Sequence, residues 1–251
     1  MGACRIQYAL LLSLLGFVPC SDTLTCNKGI MVKFGIGFTK TAVEWKSFEN
    51  NKGAPKEICQ ETLLLIDVGN KSLILGSKGC SKPGEKKIKN VQVFSAGPGI
   101  VAASYAHFCD TELCNNATST RVLLDSLSLK ASSDPGTLQC PVCLQFQGFC
   151  THNSNFVFCP KGTDCYTSQL TLRGGELNTT LSVDGCLVSP VKYLLKKQTS
   201  VGIFSAMEIL ESIEAQSLAL SLSCVSYRSM HQQTWKSAYP LPARPAIPER
   251  F

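Results

Sequence analysis

The apolar positions of this chain fall into short runs bounded by glycine, proline and cysteine. The first run, Ala9 to Val18, follows Arg5 and is broken at once by Pro19, Cys20 and Ser21. A positive start, a short apolar stretch and small or turn-forming residues after it read as a secretory signal, too short for a membrane span. The signal is assigned to residues 1–21, with cleavage between Cys20 and Cys26. Two later stretches share one layout. Cys59–Cys80 reads CQETLLLIDVGNKSLILGSKGC and Cys165–Cys186 reads CYTSQLTLRGGELNTTLSVDGC; each holds twenty residues between its cysteines and ends Gly-Cys. In the first, the strand-like runs Leu63–Ile66 and Leu73–Leu75 flank Gly69-Asn70-Lys71. In the second, Leu170–Leu172 and Leu181–Val183 flank Arg173-Gly174-Gly175-Glu176. Gly and Asn supply the positive φ angles that tight hairpin turns need. Each stretch is therefore expected to be a β-hairpin, and a repeat of this length predicts tandem duplicated domains.

The pattern changes near the end. Ser205-Ala-Met-Glu208 has the form of a capping box. Glu208, Glu211 and Glu214 would share one helical face and Ile203, Met207 and Leu210 another, so a short helix is expected there. Ser217 to Val225 is mildly apolar, and the closing QQTWKSAYPLPARPAIPERF is polar and proline-rich. Pro242, Pro245 and Pro248 suit extended polyproline conformation, and the tail is expected to be disordered.

Cysteine content sharpens this picture. Cys4 and Cys20 leave with the signal, and twelve of the fourteen cysteines remain. An even number in a secreted chain reads as a disulfide framework. Each bridge adds about 2–4 kcal/mol, which small domains with limited cores need. The net charge of +6 is spread along the chain; the densest group, Lys82, Lys86, Lys87 and Lys89, reads as a solvated loop. No Arg-rich stripe is interleaved with aromatics, so nucleic acid is not an expected partner. Asn70, Asn116 and Asn178 each open an N-x-S/T sequon, consistent with a glycosylated surface.

Candidate chemistry is sparse. Cys140-Pro-Val-Cys143 has redox or half-zinc spacing, but it sits among turn and strand residues with more cysteines downstream, and an oxidising compartment favours bridges. The three histidines, His107, His152 and His231, form no H-E-x-x-H, and neither a G-x-S-x-G elbow nor a P-loop occurs. Asp67, Asp110, Glu112, Asp164 and Asp184 lie at turns or beside cysteines, where solvated or capping roles prevail. The expectation is a chain without catalytic residues, metal or cofactor.

Around each hairpin the cysteines continue in order. The first domain closes Cys109-Asp-Thr-Glu-Leu-Cys114-Asn115; the second opens Cys140-Pro-Val-Cys143, then Cys150 and Cys159. With the C-x4-C-N ending, the hairpins ending Gly-Cys and this opening cluster, the chain resembles the lymphocyte-antigen-6/urokinase-receptor family of three-finger domains. The resemblance extends from residue 1 to about residue 186. It implies an all-β protein of two tandem small disulfide-rich three-finger domains, each a disulfide knot from which β-loops project. It also implies the bridges Cys26–Cys59, Cys109–Cys114, Cys140–Cys165, Cys143–Cys150 and Cys159–Cys186, a connectivity that spacing alone leaves open. The expected organisation is a first domain over 22–115, a linker over 116–138, an incomplete second domain over 139–200 and a divergent tail over 201–251.

The pattern is broken in three places. Cys159 lies six residues before Cys165, but the matching place before Cys59 is Gly53, which leaves Cys80 without its partner. Cys224 is also unmatched; Cys80 and Cys224 could pair with each other, stay free or link to another chain. The family usually ends in a lipid anchor, and this polar C-terminus does not have that form. The family implies partners among extracellular or cell-surface proteins, and a place in the medium or on the outer face of the plasma membrane. The nearest likeness within it implies a germ-cell surface glycoprotein associated with sperm maturation and fertilisation. Two other readings are a secreted two-domain inhibitor of phospholipase A2 and, less consistent with the compartment, a thiol oxidoreductase using Cys140 and Cys143.

Overall fold

The computed structural model describes residues 23–130, 134–150 and 155–211. The signal segment, Cys224, His152, His231 and the proline-rich end lie outside the described residues. The first sheet contains β1 (Thr25–Gly35), β2 (Glu49–Lys52), β3 (Cys59–Val68), β4 (Lys71–Cys80), β5 (Ile88–Ala96) and β6 (Val101–Cys109), in the order β2-β1-β4-β3-β6-β5. A one-turn helix α1 (Arg121–Leu124) follows. The second sheet contains β7 (Pro135–Phe146), β8 (Asn155–Pro160), β9 (Thr163–Gly174), β10 (Leu177–Val188), β11 (Ser200–Val201) and β12 (Phe204–Leu210), in the order β11-β12-β9-β10-β7-β8. Every pairing is antiparallel, and the two sheets trace the same path.

The two repeated stretches are the central hairpins, with Cys59 opposite Cys80 and Cys165 opposite Cys186. Their turns differ in type. Val68 pairs with Lys71, and Gly69 takes φ 62° at the first loop position, where a type II′ turn wants glycine. Gly174 pairs with Leu177, and Gly175 and Glu176 both take positive φ, 54° and 65°, as a type I′ turn requires.

The unbroken apolar run of β3 follows from burial on both faces. Leu64, Ile66 and Val68, with Leu73 and Leu75 of β4, pack in one cluster with Leu170, Leu172, Leu181, Val183 and Phe204 of the second sheet. Leu63 and Leu65, with Ile74, pack on the opposite face with Met31, Trp45, Tyr105 and Leu123. Burying each such side chain stabilises the fold by about 1.5–3 kcal/mol. The two sheets thus share a core and belong to one compact unit that ends at Leu210.

Three expectations are corrected here. Phe204–Leu210 is strand, not helix. Phe204 and Ala206 are buried while Ser205 and Met207 are exposed, a period of two, and β12 pairs along β9 from Ser205↔Arg173 to Leu210↔Ser168. Burial of Phe204 in the shared core outweighs the local capping signal. The second domain consequently extends past residue 200, to include β11 and β12. The stretch read as a linker begins inside the first domain: Ala117, Thr120 and Leu123 are buried, and Ala117 and Leu123 close the cluster under Trp45.

Candidate functional site

The cysteines knit the base of each sheet. In the first domain Cys26 bridges Cys59 and Cys109 bridges Cys114. The Cys109–Cys114 loop delivers Asn115 into the base, where it is fully buried. Its Oδ1 accepts from the Asn27 amide at 2.9 Å, and its Nδ2 donates to the Asn27 and Gln60 carbonyls at 2.8 Å each. An amide side chain is needed there because it accepts and donates at once. In the second domain Cys140 bridges Cys165, Cys143 bridges Cys150 and Cys159 bridges Cys186. Cys140 and Cys143 are therefore bound outside their own C-x-x-C motif. The Sγ atoms of Cys140, Cys159 and Cys186 crowd within 4.8 Å of one another, but all three are oxidised in bridges and none offers a thiolate to a metal.

Cys80 is a free thiol. A Cβ built on buried Gly53 would lie 3.2 Å from its Sγ, so the thiol faces the position where the repeat leads one to look for its partner. Burial, followed by the nearby Glu57 carboxylate, pushes this thiol above its ordinary pKa. The second sheet matches the first residue for residue here. Gly29 lies opposite Lys78 as Cys143 lies opposite Asp184. The first domain thus lacks both the Cys143–Cys150 and the Cys159–Cys186 counterparts.

In their place the first domain has a buried polar network that the sequence pattern did not reveal. Glu61 and Lys78 are cross-strand neighbours whose side chains are 2% and 1% exposed, with 3.5 Å between charged atoms. Glu61 also accepts from the Tyr105 hydroxyl at 2.8 Å and the Ala117 amide at 3.0 Å, and meets His107 Nδ1 at 3.1 Å. The Lys78 ammonium donates to the Ala117 carbonyl and lies 4.4 Å from the centre of the Trp45 ring. Burial lowers the pKa of Lys78, with Glu61 opposing, and burial and Glu61 together push the Tyr105 phenol far up. The network holds the segment after Cys114 against the sheet. A glutamate and a lysine at i and i+17 give no periodic signal; only the hairpin register makes them neighbours. The second domain uses one carboxylate differently. Glu208 on β12 accepts from the Leu194 and Leu195 amides and from the Tyr166 hydroxyl, tying the preceding loop to the sheet.

Main-chain contacts seal the two domains together. The Ile100 amide donates to the Cys186 carbonyl at 2.8 Å and the Ile203 amide to Thr62 Oγ1 at 3.1 Å. Gly99, at φ 91°, sits so close to the Cys186 carbonyl that any side chain would collide with it. Lys28 reaches Glu176 of the second hairpin turn at 2.9 Å and Glu49 at 3.2 Å.

What remains open to solvent is on the loops and outer strands. In the first domain Ile36 is 73% and Phe48 78% exposed, with Val32 and Phe34 beside them. In the second, Phe149 is 71% exposed, and Phe156 and Phe158 project from β8. Asn70, Asn116 and Asn178 are all exposed. Lys82, Lys86, Lys87 and Lys89 are exposed as well, and Lys87 pairs with Asp110 at 2.9 Å. Among the described residues no helix is long and apolar enough to cross a membrane.

Known proteins share this arrangement. The model of the u-PAR/Ly-6 domain matches residues 50–117 and 136–218. The chain is 35% identical to testis-expressed protein 101 of Rattus norvegicus over 213 residues, 83% of either chain. It is 47% identical to the CD177 antigen of Mus musculus over 193 residues, 76% of this chain but only 24% of that longer protein. The crystal structure of mouse TEX101 superposes with a TM-score of 0.64 at 28% identity, covering 74% of this chain and 97% of the other.

Proposed function

The chain belongs to the u-PAR/Ly-6 domain family, and from that premise we propose that it is an extracellular glycoprotein that works by binding other proteins through its β-loops. The observation that carries this reading is the contrast between scaffold and loops. The double sheet is fused through one core and stapled by five bridges, while large apolar side chains stand exposed on the outer strands and loops. Recognition commonly sits on loops held by a rigid scaffold. The likeness to testis-expressed protein 101 supports a role on or around germ cells, in sperm maturation and fertilisation. The exposed asparagines Asn70, Asn116 and Asn178 are the proposed glycan sites.

Expression of the full chain in mammalian cells tests the compartment. Protein in the medium, or on the surface and released by a phosphatidylinositol-specific phospholipase, supports the reading; the two outcomes distinguish a soluble from a lipid-anchored form. Retention in the cytosol without glycans contradicts it.

A further inference from the structure

The first domain carries a half-empty sheet position. β1 pairs with β4 along Gly29–Gly35 on one side. On the other it pairs with β2 only along Thr25–Lys28. The Lys28 carbonyl accepts from the Phe48 amide at 2.9 Å, so the even-numbered residues of β1 direct their main-chain groups to this side. Ile30, Val32 and Phe34 continue that alternation, and among the described residues no strand pairs with them. The chain from Glu44 to Phe48 runs alongside but stands off, leaving a cleft of about 390 Å³ lined by Val32, Lys33, Trp45 and Phe48.

The chemistry of the rim defines what would fit. The exposed apolar groups are Val32, Phe34, Ile36 and Phe48. The carboxylates nearby are already engaged: Glu44 with Lys46 at 3.0 Å, Glu49 with Lys28, and Asp67 with the hydroxyls of Ser72 and Thr39. Lys33, which lines the cleft, is exposed and has no ion pair among the described residues. The rim is therefore apolar with uncommitted positive charge. The other open edge with exposed aromatics, β8, differs in this respect, because its flanking Asp134 and Lys161 pair with each other at 3.6 Å.

We propose that the free edge of β1 at Ile30–Phe34 is a docking site for an extended, acidic segment of a partner protein, which adds a strand where β2 stops. Main-chain hydrogen bonds supply affinity, alternate apolar side chains rest against Val32 and Phe34 on one face, and the acidic side chains between them meet Lys33 on the other. The inference deepens the binding-module reading and rests on it.

Hydrogen exchange of the full secreted chain tests it, with two ten-residue peptides as probes, one alternating valine with glutamate and one alternating valine with lysine. At about 1 mM peptide, the glutamate peptide is expected to slow exchange at the Ile30, Val32 and Phe34 amides, and the lysine peptide is not. Val32→Pro removes an N–H that points away from β4, so the sheet keeps its thermal midpoint while the peptide binds about tenfold more weakly or worse. Should that variant misfold, Lys33→Glu, at an exposed position, must reverse the preference between the peptides. Equal protection by both peptides, protection located at β8, or no protection of these amides overturns the proposal. A chain that binds cells yet ignores both peptides overturns the edge alone and leaves the binding-module reading in place.

Discussion

The two domains follow one strand path but secure it by different means. The second domain closes its first hairpin with Cys143–Cys150 and its base with Cys159–Cys186. The first has Gly29 where Cys143 would fall, and Gly53 facing a solitary Cys80 where the latter pair would. Covalent restraint is replaced there by Glu61, Lys78, Tyr105 and Trp45, and by the 117–124 segment they hold down. The difference teaches that the repeat conserves a topology and not a set of bonds. It also leaves the first domain's β1 edge without a staple beside it, where exposed apolar side chains meet Lys33.

The two domains should differ most at the buried pair. Lys78→Met leaves the Glu61 carboxylate buried without its cation and is expected to cost about 3–5 kcal/mol. Denaturant unfolding measures this, and the double change Glu61→Leu with Lys78→Met should recover only part of the loss, because the buried Tyr105 hydroxyl and Ala117 amide lose their acceptor. A second break strikes the seam that joins the domains. Gly99→Ala places a side chain against the Cys186 carbonyl at a positive φ, and a loss on the order of 3 kcal/mol is expected in the same assay.

The first domain can also be given what the second has. Gly53→Cys would close a loop of the same length as Cys159–Cys186, whose residues are 27 apart. A bridge between position 53 and Cys80, detected by mapping of non-reduced peptides, should stabilise the chain by about 3 kcal/mol. If no bridge forms, the two bases are not equivalent. The smallest effect concerns Cys80 itself. Its pKa is raised in the folded chain, so the thiol's contribution to stability is full below the ordinary thiol pKa of about 8.5 and falls as pH rises above it. Native Cys80 should accordingly be alkylated more slowly than in the unfolded chain between about pH 7 and 9, with the rate still climbing beyond that range.

Much of the fold was legible because hairpins leave local marks. The paired stretches Cys59–Cys80 and Cys165–Cys186 announce strand, turn and strand in order, and Gly69 and Gly175 mark the turns. The family likeness led to the cysteine frame. What was illegible depends on contacts made across the sheets. The helix expected at Ser205 became β12 because Phe204 has a place in a core that only the second sheet creates. The apparent linker became a cover because Ala117 and Leu123 pack with Trp45, far from them in sequence. The Glu61–Lys78 pair emerged from hairpin register, and the open edge from where β2 stops pairing with β1; neither is written in residue types.

The proposed function has this scaffold bind cell-surface proteins through the open side of its first domain. Binding of the labelled, secreted full chain to intact germ cells tests it directly, with two variants alongside. The wild-type chain should bind saturably. Replacing Phe34, Ile36 and Phe48 by serine should weaken binding about tenfold or more, since such exposed apolar groups are where interface energy concentrates. Replacing Phe149, Phe156 and Phe158 by serine should leave it nearly unchanged. Non-saturable binding, or a loss that follows the second-domain variant alone, would contradict binding through the first domain.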